Sequence, residues 1–196
     1  MPRLASRALR AVARKIRVLA LDVDGVLTDG SIRWNDDARE QKVFHVVDGS
    51  GIAYLRREGY RIAIISGRRS RATEVRAREL KIHRVYQGYL RKLDAFDDLK
   101  RAFRAEDHEI CFVGDDLADL CLFRRVGLAV AVASAVADVR RAAHHVTRAP
   151  GGGGAVREVA ELLLKARGLW SGVVRTYADG AFEPPKTLKK SITRYG

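Results

Sequence analysis

The chain has 196 residues, 47% of them hydrophobic, and a formal net charge of +13. That length and apolar fraction suit one substantial core and a single domain, and no apolar run approaches the ~20 residues that span a bilayer. The positive charge raises nucleic acid as a partner. The arginines are scattered, however, with no aromatic residues interleaved to stack bases, so neither nucleic acid nor membrane is expected.

In chain order, Arg3, Arg7, Arg10 and Arg14 recur at helical spacing with no acid among them. They predict a basic helix leading into the first strand; a targeting segment or a membrane-surface helix is the other reading. Next comes Leu19-Ala-Leu-Asp-Val-Asp-Gly-Val-Leu-Thr-Asp-Gly30. A buried parallel strand reads as a continuous apolar stretch, and in open α/β sheets ligands sit beyond the carboxyl ends of such strands. Asp22 and Asp24 stand at that end. Alternate side chains of an extended segment point the same way, so both carboxylates can face one substrate while Val23 turns into the core. One carboxylate can attack an electrophile and the other can move the proton. Their mutual repulsion favours a raised pKa on one of them or a bound hard cation such as Mg²⁺. A plain polar turn is the competing reading of Asp-x-Asp-Gly.

Ser31-Ile-Arg-Trp34 and Glu40-Gln-Lys-Val-Phe-His45 flank Asn35-Asp36-Asp37 and predict a β-hairpin flap, too small for a cap domain. A helix is expected near 49–58. Ile62-Ala-Ile-Ile-Ser-Gly-Arg68 then repeats the pattern of apolar strand, hydroxyl and glycine, so that Ser66, with the backbone amides from Gly67 onward, would cradle a phosphate. A helix at 70–80, a short strand at 84–86 and a helix at 91–103 follow, with Lys92 at the start of the last, where its ammonium can reach a phosphoryl oxygen. Ile110-Cys-Phe-Val-Gly-Asp-Asp-Leu-Ala-Asp119 ends a third apolar strand in acids. A helix at 117–126, a strand at 128–132 and a helix at about 156–167 complete an α/β doubly wound parallel sheet. Cys111 and Cys121 show neither paired-cysteine nor metal spacing, which suits a reducing cytoplasm.

Taken in this order, the motifs resemble the haloacid dehalogenase-like phosphatase superfamily. Within it, Asp22 to Gly30, Phe44 to Ile52, Gln87-Gly88, Gly114 to Asp119 and Gly151 to Glu158 resemble the 3-deoxy-D-manno-octulosonate 8-phosphate (KDO 8-phosphate) phosphatase family and its sialate 9-phosphate relatives. The match runs from about Lys15 to Gly168. It implies a Rossmann-like core with no large cap domain, a Mg²⁺-dependent phosphomonoesterase, and Asp22 as the nucleophile that becomes an aspartyl-phosphate. It further implies Asp24 as acid and base, Ser66 and Lys92 on the transferring phosphoryl oxygens, and a metal held by Asp22, Asp115 and the main-chain carbonyl of Asp24. Asp116 and Asp119 would support that shell. KDO 8-phosphate is the expected substrate, on the way to lipopolysaccharide. Sialate 9-phosphate, its deaminated analogue or another sugar phosphate is the alternative, and a catalytically idle phosphosugar- or partner-binding subunit is the reading from a different class.

The family often has an Arg immediately before the Asp-Gly of its second motif, where this chain has Val47. A sugar-acid carboxylate suits a planar cation, so Arg68, Arg76 and Arg157 are candidate replacements, Arg68 foremost. Without a cap, relatives recruit a neighbouring subunit, which implies a homotetramer with Ile32 and Trp34 at the interface. The Gly151–Gly154 run reads as a segment that closes over the site or as a linker to the final helix. The core is expected to span 1–168, and 169–196 to form a tail whose Trp170, Tyr177 and Phe182 dock on a neighbouring subunit.

Overall fold

The structure is a computed structural model and describes residues 6–182. The helix α1 (Ser6–Ala13) precedes β1 (Val18–Leu21), and a two-stranded flap, β2 (Arg33–Trp34) with β3 (Glu40–Gln41), follows. Next come α2 (Val46–Arg57), β4 (Arg61–Ser66), α3 (Arg71–Glu79), β5 (Arg84–Gln87) and α4 (Lys92–Phe103). The chain continues through β6 (Ile110–Gly114), α5 (Leu120–Phe123), β7 (Leu128–Ala131), α6 (Ala137–Ala142), β8 (His145–Val146), α7 (Ala155–Ala166) and α8 (Trp170–Ala178).

The main sheet has the order β5-β4-β1-β6-β7-β8, and its pairings are all parallel. Each residue of β1 and β7 and nearly all of β4 and β6 is buried. Covered on both faces, these strands read as unbroken Val, Ile, Leu and Ala runs, which is how the sequence exposed them. Strand order proceeds one way from β1 to β4 and β5 and the other way from β6 to β7 and β8. Right-handed crossovers therefore place α2 and α4 on opposite faces, with a topological switch between β1 and β6. The C-terminal ends of those strands open a crevice, where β4 ends in Ser66 and β1 and β6 are followed directly by Asp22 and Asp115.

The expected α/β doubly wound sheet and the small flap are both present, and β4 ends at Ser66, where its motif turns from apolar residues to a hydroxyl. The departures lie in short elements. The helix expected at 117–126 is a 3₁₀ turn, Leu117–Asp119, followed by one turn of α-helix. Asp116 accepts from the Leu117 amide and caps it, while the Asp119 side chain turns inward. The six-residue α6 and two-residue β8 were not anticipated, because neither is long enough to show a period.

The basic N-terminal helix is present from Ser6, with Leu9 and Ala13 buried and α7 as its neighbour; Arg3 lies outside the described residues. The aromatic residues of the expected tail find partners in their own chain. The Trp170 and Tyr177 rings lie 6.2 and 5.3 Å from that of Tyr54 on α2, and Phe182 stacks on Tyr177 at 4.9 Å. Among the described residues no helix is long and apolar enough to cross a membrane.

Candidate active site

Asp22 follows β1 directly, and its backbone amide donates to the Val113 carbonyl of β6 at 3.0 Å, which continues the ladder past the last paired residue. Val23 is buried, as the alternation required. The chain then turns at Gly25, whose φ of +87° is the left-handed conformation. A Cβ at Gly25 would overlap the carboxylate of Asp115, so a bare backbone is what lets the β1 and β6 loops approach. The Thr28 hydroxyl accepts from the Gly25 and Gly30 amides and donates to the Val23 carbonyl, pinning the turn.

Lys92 enters from the first turn of α4 and is 4% exposed. Its ammonium donates to Asp22 Oδ1 at 2.7 Å and to Asp119 Oδ1 at 2.5 Å. The other oxygen of Asp119 accepts from the backbone amides of Asp115 and Asp116. Asp119 is thereby committed on both oxygens, to Lys92 and to the β6 loop. Ser66, buried at the end of β4, accepts from the Arg68 amide at 3.3 Å. Asp22, Asp24, Ser66, Gly67, Arg68, Lys92, Asp115, Asp116 and Asp119 all line one open cavity of about 320 Å³.

The electrostatics of this cavity favour a cation. Burial raises the Asp115 carboxyl to about 8, with Asp22 and Asp119 adding repulsion that Lys92 only partly offsets. Burial also pushes the Asp22 carboxyl up, against the pull of Lys92, while the two carboxylates hold the Lys92 ammonium well above its ordinary value despite its burial. Oxygen atoms of Asp22, Asp115 and Asp119 lie within 4.8 Å of one another. Asp115 Oδ1 is buried with no hydrogen-bond partner among the described residues. An unpartnered buried carboxylate oxygen beside a second carboxylate is a donor set for a hard divalent ion such as Mg²⁺, so the residues fit that metal. With Asp119 already occupied, Asp22 and Asp115 are the side chains left to hold it.

Sequence reasoning missed Lys42 and Glu40 of the flap. The Lys42 ammonium pairs with Asp24 Oδ1 and lies 3.4 Å from Glu40, while Arg68 lies 3.7 Å from Asp24 and 2.5 Å from Glu40. The one available signal was their alternate spacing, which puts both on one face of an extended segment. Arg76 lines a larger groove of about 840 Å³ between the flap and α3, where Arg68 is also found. That groove holds none of the clustered aspartates, so the chemistry belongs to the smaller cavity beside it. Arg76 is bonded to Glu79 at 2.8 Å, and Arg157, which lines neither space, is engaged by Glu161 at 2.9 Å and by the Tyr54 and Trp170 rings.

The glycine run packs onto the turn after Asp22. The Gly152 amide donates to the Val26 carbonyl at 3.0 Å, and a Cβ at Gly151 would overlap the Gly25 carbonyl. Asp48 of α2 then accepts from the amides of Gly154 and Arg157 and so closes the N-terminus of α7.

Comparison with known proteins gives this arrangement a family. Residues 83–158 match the model for haloacid dehalogenase-like hydrolases. The KDO 8-phosphate phosphatase of Escherichia coli is 45% identical over 163 residues, which cover 83% of this chain and 87% of the relative. The crystal structure of the Yersinia pestis KDO 8-phosphate phosphatase superposes with a TM-score of 0.82 at 42% identity, covering 84% of this chain and 89% of that one. The Moraxella catarrhalis KDO 8-phosphate phosphatase, solved with magnesium ion, phosphate ion and KDO, gives 0.84 at 38% identity, covering 86% and 97%. On this identity and coverage, the chain belongs to the KDO 8-phosphate phosphatase family of haloacid dehalogenase-like hydrolases.

Proposed function

We propose that this protein is a Mg²⁺-dependent phosphatase that removes the phosphate of KDO 8-phosphate through a phosphorylated Asp22. The observation that carries the reading is the buried Lys92 ammonium, 2.7 Å from Asp22 and 2.5 Å from Asp119, facing an unpartnered Asp115 across one cavity. The substrate comes from the relatives, which are named for it at 45% identity.

In this mechanism Lys92 favours the ionised form of Asp22 and aims it, and an Asp22 oxygen attacks phosphorus in line. The bond from phosphorus to the sugar oxygen breaks, and Asp24 gives that oxygen its proton. Asp24 then takes a proton from water as the water attacks phosphorus, and Asp22 is released as a carboxylate. Ser66, Lys92 and the amides from Gly67 onward hold the equatorial oxygens as charge develops on them. Mg²⁺ on Asp22, Asp115 and the Asp24 carbonyl would supply further charge neutralisation, with Asp116 and Asp119 supporting from behind. Arg68 lies in the cavity wall and Arg76 in the adjoining groove, so either can meet the sugar-acid carboxylate that Val47 leaves without its usual partner.

Exposed Ile32 and Trp34 on the flap support a homotetramer in which a second subunit covers the cavity. The sugar product would enter lipopolysaccharide in a cytoplasmic pathway. The test is Mg²⁺-dependent phosphate release from KDO 8-phosphate, sialate 9-phosphate, deaminated sialate 9-phosphate and hexose phosphates, with Asp22→Asn as blank. Preference for KDO 8-phosphate is expected. Preference for a nine-carbon acid would reassign the substrate, and no release above the blank would leave a binding subunit.

A further inference from the structure

Building on the phosphatase reading, we propose that Lys42 is a positioning residue that reaches from the flap, grips Asp24 and directs its working oxygen at the leaving group. Lys42 lies one residue beyond β3, and its side chain is 2% exposed, against 23% for Asp24. Lysine is almost never fully buried unless paired, and here the partners are Asp24 and Glu40. Arg68 closes the group, with its guanidinium near Asp24 Oδ2 and bonded to Glu40. Two cations and two anions thus alternate around the carboxylate assigned to proton transfer.

A flap anchor alone does not call for this arrangement. Taking an ammonium out of water costs several kcal/mol, and an apolar side chain of similar volume serves packing as well or better. The same flap leaves Ile32 and Trp34 exposed at 53% and 62% while burying its lysine. Apolar anchors were available, and the charged one faces Asp24.

The donor chemistry fixes what Lys42 does there. An ammonium has three donors and no acceptor, so the Asp24 oxygen it holds, Oδ1, must present a lone pair. The transferable proton of the acid form is then confined to Oδ2. In the first step that proton passes from Oδ2 to the sugar oxygen as its bond to phosphorus breaks. In the second, Oδ2 takes a proton from the attacking water while the bond between phosphorus and Asp22 breaks. Without Lys42 the carboxyl can rotate and place its proton on either oxygen, and misplacement of a reacting group by about 1 Å costs about 10²-fold.

The experiment measures kcat/KM, which reports the steps up to phosphorylation of Asp22, for wild type, Lys42→Met and Lys42→Arg. KDO 8-phosphate, phenyl phosphate and p-nitrophenyl phosphate form a series in which the leaving oxygen needs a proton progressively less. Lys42→Met is expected to lose about 30- to 100-fold on KDO 8-phosphate, less on phenyl phosphate and under about threefold on p-nitrophenyl phosphate. Lys42→Arg, which keeps a donor on Oδ1, should recover most of the loss. Slow hydrolysis of the phosphorylated enzyme should also give Lys42→Met a burst of p-nitrophenol. A crystal structure of the variant should show Asp24 in more than one rotamer.

Equal losses on all three substrates, or none, overturn the proposal. A loss confined to KDO 8-phosphate with the two aryl esters equal also overturns it and makes Lys42 a sugar contact. If Lys42→Met does not fold, Lys42→Gln, whose amide carries an acceptor as well as a donor and so no longer forces a lone pair on Oδ1, is held to the same ordering of losses. An inactive wild type overturns the phosphatase reading and this role with it, whereas an active wild type with flat losses overturns only the role of Lys42.

Discussion

The ammonium of Lys92 lies 2.7 Å from the carboxylate of Asp22, and their separation of 70 positions in sequence is bridged by the switch in strand order that brings the start of α4 over the end of β1. Lys92→Met removes the only cation donating to either Asp22 or Asp119 among the described residues. Breaking a buried pair in this way should cost roughly 3 kcal/mol in the metal-free protein and lower kcat by roughly 10²- to 10³-fold. Denaturant unfolding in EDTA and steady-state turnover in Mg²⁺ measure the two effects. A variant as stable as wild type would contradict the structural half of the account.

The metal should matter more as pH rises. Burial lifts the Asp115 carboxyl from 3.8 to about 8, and burial raises Asp22 as well. The folded, metal-free chain therefore retains protons on these groups over a range where the unfolded chain has released them. Their contribution to stability is fully present below the unfolded value of about 4 and is lost as pH climbs towards about 8. A cation that binds the ionised carboxylates restores it. The rise in Tm on adding Mg²⁺ should be larger at about pH 8.5 than at about pH 6, and an increment independent of pH would contradict this.

Gly25 and Gly59 share a left-handed backbone, at φ +87° and +84°, and differ in surroundings: a Cβ at Gly25 meets Asp115, and one at Gly59 meets nothing within 4 Å. Gly59→Ala should lose only the strain of the left-handed conformation, about 1–2 kcal/mol, with turnover unchanged. Gly25→Ala should lose turnover and Mg²⁺ affinity in addition, because Asp115 must move. Calorimetric Mg²⁺ titration of both variants checks the difference.

Asp48 is 1% exposed and caps a helix to which it does not belong. Asp48→Ala leaves the Gly154 and Arg157 amides without their acceptor and should cost about 1–2 kcal/mol. Asp48→Asn keeps one acceptor oxygen and should cost less, as read from the shift in denaturant midpoint at constant slope. Burial holds the Asp48 carboxyl above its ordinary value despite those amides, so the charge itself is worth little here.

The parts of the site legible in sequence were those set by local pattern. The strands β1, β4 and β6 are short apolar runs that each stop at a polar residue, and the polarity of Asp22, Ser66 and Asp115 is visible without knowing what lies opposite. Lys42 was not legible, because Glu40-Gln-Lys42 reads as a solvated charge cluster until Asp24, 18 residues earlier, is seen to share its space. The same reason hid the packing of Tyr54 between α7 and α8, where Trp170 and Tyr177 meet it across more than 100 residues. Asp119 was legible as an acid near the site, but its commitment to Lys92 and two backbone amides required the 3₁₀ turn that aims it inward.

The central claim is that Asp22 carries the phosphoryl group. Rapid acid quench during turnover of KDO 8-phosphate, followed by mass spectrometry of the peptide containing Asp22, tests it most directly. The account expects one added phosphoryl group on Asp22 in wild type and neither that adduct nor phosphate release in Asp22→Asn. Near-normal phosphate release by Asp22→Asn, or turnover by wild type with no phosphorylated Asp22 at any quench time, would contradict it.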